Sequence, residues 1–328
     1  MKVIVFDTHG YDRAALDKAN ATHGHELCFL NMRLDPTTVR RAEGHDAVIG
    51  FVNDQFDDET LTKLAAGGVR LIALRCAGHN NVDMDAARRL GLSVVNVPSY
   101  APHPVAEYVL ALVLSLVRRL PQAHDRVRGG NFSIEGLVGF NLYGKTFGIV
   151  GLGQIGLAVA TIAQGMGCRL LAYDPAPPPT DLPITFVELE QLLVASQIVS
   201  LHAPLTPKTR HMLDRRRLGL MQPGSVLINT SRGGLIDTDA LIDTVKEGRF
   251  CGVGLDVYEK EEAMFYRDLS NEILTDDDMA RLMTFKNVIV TSHMGFLTQE
   301  ALQEIANTTL ASLSAYAAGL PLAHAISA

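Results

Sequence analysis

The sequence predicts an α/β protein made of two Rossmann-like or flavodoxin-like parallel-sheet domains with a cleft between them. Three observations point there. At 328 residues the chain exceeds what one hydrophobic core usually supports. Short β-branched runs alternate with helix-period segments along the whole length, the pattern of parallel sheets. Three prolines, Pro98, Pro102 and Pro104, punctuate the chain between two such series. A composition of 47% hydrophobic and 20% charged residues is that of an ordinary globular chain.

Taken in order, strands are expected at Val3 to Phe6, Ala47 to Phe51, Leu71 to Leu74 and Val94 to Val97, separated by helical material. A second series follows at Thr146 to Val150, Arg169 to Tyr173, Ile198 to His202, Val226 to Asn229, Gly252 to Val257 and Val288 to Thr291. Six strands suit one doubly wound sheet. The segment Thr298 to Ala318 has helical spacing and is expected to return to the first domain. This gives a discontinuous domain, 1–99 plus 296–328, around a second domain, 100–295. Ligands of such sheets bind at the carboxyl ends of strands, so chemistry is sought just after them.

Several classes are excluded. The formal charge is −7 and no lysine- or arginine-rich block exists, so no nucleic-acid surface is expected. Cys28, Cys76, Cys168 and Cys251 are far apart and form no C-x-x-C pair, which suits reduced thiols in the cytoplasm. The opening apolar run, Val3 to Phe6, is too short for a signal peptide. Val105 to Leu120 carries Glu107 and Arg118-Arg119 and falls short of the roughly 20 apolar residues a bilayer needs. It reads as a buried helix between domains, with no membrane role. His23 and His25 lack a third ligand nearby, and no metal is assigned.

The stretch Thr146 to Gly156 runs from a strand into G-x-G-x-x-G and then a helical pattern. Gly151 permits the tight turn, Gly153 lets a pyrophosphate approach the backbone, and Gly156 lets helix and strand pack closely; Gln154 and Ile155 open the helix, whose free N–H groups face the phosphates. The next strand ends in Asp174, placed to accept from ribose hydroxyls. An acid there repels a 2′-phosphate, so NAD is favoured over NADP. A glycine turn that binds nothing is the alternative.

Three polar residues follow strands on the same rim: Arg232, Glu261 and His293. Reduction of a 2-keto acid needs these types. A guanidinium forks onto the carboxylate and polarises the carbonyl, and an imidazolium gives a proton to the developing alkoxide. A carboxylate beside the histidine favours its charged form. Each taken alone has a bland alternative: a helix-start arginine, a solvated acidic run from Glu259 to Glu262, a strand-end histidine. His202 ends a strand toward the cofactor and reads as a pocket wall.

Gly151 to Gly156, Asn229-Thr230-Ser231-Arg232-Gly233, Asp256-Val257-Tyr258-Glu259 and His293 together resemble the D-2-hydroxyacid dehydrogenase family over nearly the whole chain. Val97 to Pro102, Gly130 to Gly136, Phe296-Leu297-Thr298 and the acidic insertion from Glu261 to about Arg281 are similar to its D-lactate dehydrogenase branch. The resemblance implies a substrate/catalytic role for the first domain and NAD binding by the second. It implies an Arg232, Glu261, His293 triad, with Asp256 binding the nicotinamide ribose or setting site charge, and a homodimer joined through the NAD domains. It also implies that the N–H groups of Ala77 and Gly78 hold the substrate carboxylate, a plausible anion nest. Tyr100 and Phe296 would wall the substrate, and Ala203, Pro204, Thr209, Thr230 and Ser231 would line the cofactor.

The expected activity is reduction of pyruvate to D-lactate by NADH, with the proton from His293. Met294-Gly295 and Cys76-Ala77 depart from the branch beside the substrate, which keeps glyoxylate, oxaloacetate, 2-ketobutyrate and phenylpyruvate open. A formate or phosphonate dehydrogenase of the same fold fits the lactate-like insertion and Tyr100 poorly. An NADH-sensing corepressor without turnover would not need all three catalytic residues.

Overall fold

The computed structural model describes residues 1–98 and 102–326. The chain forms two compact units, Met1–Ala101 with Leu297–Ala328, and Pro102–Phe296.

The first unit holds a five-stranded parallel sheet in the order β2-β1-β3-β4-β5, formed by β1 (Lys2–Val5), β2 (Glu26–Phe29), β3 (Ala47–Gly50), β4 (Leu71–Leu74) and β5 (Ser93–Val95). This is the flavodoxin-like winding. β3 and β4 are buried at every position, as strands covered on both faces must be. Three helices, α1 (Gly10–Asn20), α2 (Asp58–Ala66) and α3 (Met84–Arg89), belong to this unit. Asp57 and Asp83 cap α2 and α3 by accepting from Thr60 and Ala86 N–H at 2.8 and 2.9 Å. Such caps contribute about 1 kcal/mol each. The C-terminal helix, Gln299–Ala317, packs on α1 and β4, the return that its spacing predicted.

The second unit is a seven-stranded parallel sheet in the order β12-β11-β10-β9-β6-β7-β8. Its strands are β6 (Thr146–Val150), β7 (Arg169–Tyr173), β8 (Ile184–Phe186), β9 (Ile198–Leu201), β10 (Ser225–Asn229), β11 (Phe250–Leu255) and β12 (Val288–Val290). The helices are α4 (His103–Val117), α5 (Leu120–Arg128), α6 (Gln154–Gly165), α7 (Leu189–Ala195), α8 (Arg215–Leu220), α9 (Thr238–Lys246) and α10 (Asp277–Thr284). The winding reverses between β6 and β9, which makes the carboxyl ends of those strands the expected ligand position. One face of the sheet packs α7 to α10 around Leu192, Leu218, Leu241 and Leu282; the other packs α4 and α6 around Val109, Val113 and Val159.

Two strands were not expected from the sequence. β2 is an edge strand whose residues alternate exposed and half-buried, and β8 has three residues, two of them exposed. Neither supplies the apolar run that marked the others. The long apolar segment forms a buried helix, as its pattern predicted. Its helix, α4, runs from His103 to Val117 and packs on α6, β10 and β11, so it is a core helix of the second unit. It stops because Arg119 adopts φ 53 and its guanidinium donates to the Cys251 carbonyl at 3.0 Å. His23 Nδ1 and His25 Nε2 both lie within hydrogen-bond distance of Ser314 Oγ, at 2.8 and 3.0 Å, which anchors the loop after α1 to the C-terminal helix.

Candidate active site

The glycine turn follows β6 at the switch point. Gly151 takes φ 93, and a Cβ there would lie 2.8 Å from the backbone of His202 and Ala203. At Gly156 a Cβ would stand 2.1 Å from the Gly151 carbonyl oxygen, so only glycine lets the helix start this close to the strand. Gly153 occupies the N-cap of α6 with open space beside it, and Gln154 and Ile155 form the first helical positions. The free N–H groups of this twelve-residue helix point back to the turn.

Asp174 closes β7. Its Oδ2 accepts from Leu152 N–H at 2.7 Å and its Oδ1 from Ala176 N–H at 2.8 Å. A carboxylate has about four lone-pair positions, so two remain for ribose hydroxyls. The far lip is the segment after β9. Ser231 Oγ donates to the Ala203 carbonyl at 2.7 Å, and Thr209 Oγ1 to the Pro204 carbonyl at 2.6 Å. Desolvation pushes the His202 imidazole down to about 4, so it is neutral at working pH, with Ser200 Oγ 2.8 Å from its Nε2. Thr230 is buried, and its hydroxyl finds no hydrogen-bond partner among the described residues. A glycine cradle, a carboxylate with spare acceptor positions and an orphaned buried hydroxyl fit a dinucleotide.

The polar residues expected to act gather at the ends of β10, β11 and β12. His293 Nδ1 and Glu261 Oε1 are 2.7 Å apart, each side chain 19% exposed. Glu261 is itself fixed, because its Oε2 accepts from Tyr258 N–H at 2.8 Å. Arg232 opens a short helical turn in extended conformation, and its guanidinium donates to the Ser231 carbonyl at 2.7 Å. Asn229 ties it inward by donating to the Arg232 carbonyl at 2.9 Å, while the Asn229 carbonyl accepts from Asp256 N–H at 2.9 Å.

Asp256, for which the resemblance implied ribose binding or the setting of site charge, lies in a buried cluster. It is 1% exposed, and its two oxygens accept from Thr291 Oγ1 at 2.6 Å, Met294 N–H at 2.9 Å and Gly295 N–H at 2.8 Å. Its carbonyl accepts from His293 N–H at 2.7 Å. Burial pushes its carboxyl up from the ordinary range, opposed by those donors. The cluster holds His293 in a left-handed backbone, φ 54. Tyr266, also left-handed at φ 63, donates its hydroxyl to the His293 carbonyl at 2.8 Å.

In the first unit, Ala77 and Gly78 follow β4. Ala77 receives Asn96 Nδ2 on its carbonyl at 2.8 Å, and Cys76 Sγ lies 3.2 Å from the Gly78 carbonyl. Phe296 is buried at the end of the second unit, and Tyr100 lies outside the described residues.

The family profile described as D-isomer specific 2-hydroxyacid dehydrogenase, NAD binding domain, matches residues 110–295. The chain belongs to the D-2-hydroxyacid dehydrogenase family. It is 50% identical over 317 residues to 2-hydroxyacid dehydrogenase A of Aspergillus oryzae, covering 95% of this chain and 91% of that one. The apo-structure of D-lactate dehydrogenase from Escherichia coli is similar over the full length of both chains, with a TM-score of 0.92 and 43% identity. The pyruvate reductase of Chlamydomonas reinhardtii gives a TM-score of 0.92 at 40% identity over 98% of this chain and 97% of that one.

This D-2-hydroxyacid dehydrogenase is therefore an NAD-dependent oxidoreductase acting on 2-hydroxy acids. The positioning groups around its histidine are what sequence reading missed. Thr291 and Tyr258 lie within three residues of expected site residues, a signal that could have been followed. Tyr266 stands 27 positions from His293 inside the acidic insertion, and no spacing rule connects them.

Proposed function

We propose that this dehydrogenase reduces pyruvate to D-lactate, with His293 as the proton donor, Glu261 as its charge partner and Arg232 as the grip on the substrate carboxylate. The observation that carries the reading is the 2.7 Å contact between His293 Nδ1 and Glu261 Oε1. With Nδ1 engaged, Nε2 is the atom left to face substrate, and the carboxylate fixes the orientation of the ring. When bound, NADH would supply the hydride that C2 of the keto acid takes up. His293 gives its proton to the carbonyl oxygen, so the C=O becomes CH–OH. Arg232 forks onto the carboxylate and holds C2 in place. In the first unit, the N–H groups of Ala77 and Gly78 make no hydrogen bond to another described residue, which supports the carboxylate nest implied by resemblance.

Similarity to a D-lactate dehydrogenase of E. coli and a pyruvate reductase of C. reinhardtii supports pyruvate as substrate. Glyoxylate, 2-ketobutyrate and phenylpyruvate complete the test panel, because Met294-Gly295 adjoins His293. Steady-state NADH oxidation should give its highest kcat/KM with pyruvate. A higher value with another member reassigns the substrate, and no oxidation with any of them favours the NADH-sensing alternative.

We also infer a homodimer through the second unit. α5 buries none of its residues, and Phe132, Ile134, Val138 and Tyr143 in the following arm are each more than three-quarters exposed. Apolar exposure on that scale suits a subunit interface. Four free thiols fit work in the reducing cytoplasm.

A further inference from the structure

We propose that Tyr266 is a positioning residue for proton transfer, fixing the backbone of His293 so that its imidazole stays on Glu261. The proposal rests on the reading of His293 as proton donor. Glu261 and Tyr266 belong to one short segment, in which the Glu261 carbonyl accepts from Met264 and Phe265 N–H at 3.0 and 2.9 Å. That segment grips His293 at two points. Glu261 Oε1 takes the ring at Nδ1, 2.7 Å away, and the Tyr266 hydroxyl donates to the main-chain carbonyl at 2.8 Å. The Tyr266 ring lies 6.4 Å from the imidazole, tilted by 31°.

A single contact at Nδ1 would let the imidazole pivot and swing Nε2 away from the substrate oxygen. Fixing the peptide plane removes that freedom. The hold is needed because a histidine at φ 54 sits in a sparsely populated backbone region and relaxes unless its surroundings over-determine it. Asp256 supplies part of the restraint from the amide side, through His293 N–H and Met294 N–H. Tyr266 supplies the restraint on the carbonyl side, and its own left-handed backbone at φ 63 turns the ring toward the histidine.

Tyr266→Phe keeps the ring and deletes only the hydroxyl. Its kcat for pyruvate reduction should fall about fivefold, what one net hydrogen bond is worth in rate. KM for pyruvate and the affinity for NADH, read from the cofactor's own fluorescence, should stay within about twofold, since neither ligand loses a contact. The solvent deuterium isotope effect on kcat should rise, because a poorly placed donor makes proton transfer more limiting. Wild-type kcat and isotope effect in Tyr266→Phe would overturn the proposal. So would a lower thermal midpoint with a lower kcat but an unchanged isotope effect, which marks a purely structural role. His293→Gln is measured alongside. If it is inactive while Tyr266→Phe behaves as wild type, the positioning role alone fails. If it retains activity, the proton-donor reading fails first.

Discussion

The turn after β6 and the turn after β12 each carry a left-handed residue, Gly151 at φ 93 and His293 at φ 54, and they are held by opposite means. The first is made of what is missing: at Gly151 and Gly156 a Cβ would collide with main chain. The second keeps its side chain, which we propose as the proton donor, and holds its turn with Asp256, Glu261, Thr291 and Tyr266. A cofactor that meets backbone N–H groups can use glycine. A proton donor cannot, so its strain is offset by neighbours instead.

The contrast can be broken first at the glycine side. Gly156→Val should abolish detectable NADH binding at about millimolar cofactor, because the added carbons meet backbone that cannot step aside and such overpacking costs about 1–3 kcal/mol or more. Retained binding in a thermal-shift titration with NADH would show that the turn has slack. On the other side, Asp256→Asn keeps the shape but turns one acceptor into a donor facing Thr291, Met294 or Gly295. Leaving one donor unsatisfied costs about 1–3 kcal/mol, so kcat/KM for the keto acid should fall roughly ten- to a hundredfold while NADH still binds. An unchanged kcat/KM would mean that the turn holds its shape without the carboxylate.

A smaller effect is expected from Gly295→Ala. The new Cβ would stand 3.0 Å from Asp256 Oδ2 and 3.3 Å from Tyr108 Cδ1, so its neighbours must shift by tenths of an ångström. The thermal midpoint should drop by a few degrees, corresponding to about 1 kcal/mol. A rise would show that the turn is underpacked. The last, seen only at acid pH, concerns His202, whose imidazole burial holds near 4 against 6.5 when unfolded. The unfolded chain then binds the extra proton between those values, so this contribution is complete above pH 6.5 and is lost as pH falls toward 4. His202→Gln should flatten the fall in thermal midpoint across that window.

The same contrast explains what could be read before the structure. Glycines at Gly151, Gly153 and Gly156 announce a turn from sequence spacing, and Arg232, Glu261 and His293 are recognisable as types placed after strands. Strands such as Ala47–Gly50 and Thr146–Val150 are legible because both faces are covered. β2 and β8 are edge strands with exposed positions and leave no such trace. The partners of Asp256 were not legible for a related reason. Its partners, Thr291 to Gly295, lie 35 to 39 residues away and are chosen by the parallel pairing of β11 with β12. No local pattern encodes which carboxylate a strand neighbour will bury.

The most direct test replaces the strained residue itself. His293→Gln should bind NADH as wild type does, yet oxidise it with pyruvate at least about a hundredfold more slowly, the usual share of a general acid. Loss of less than about tenfold, with D-lactate still formed, would contradict His293 as the proton donor.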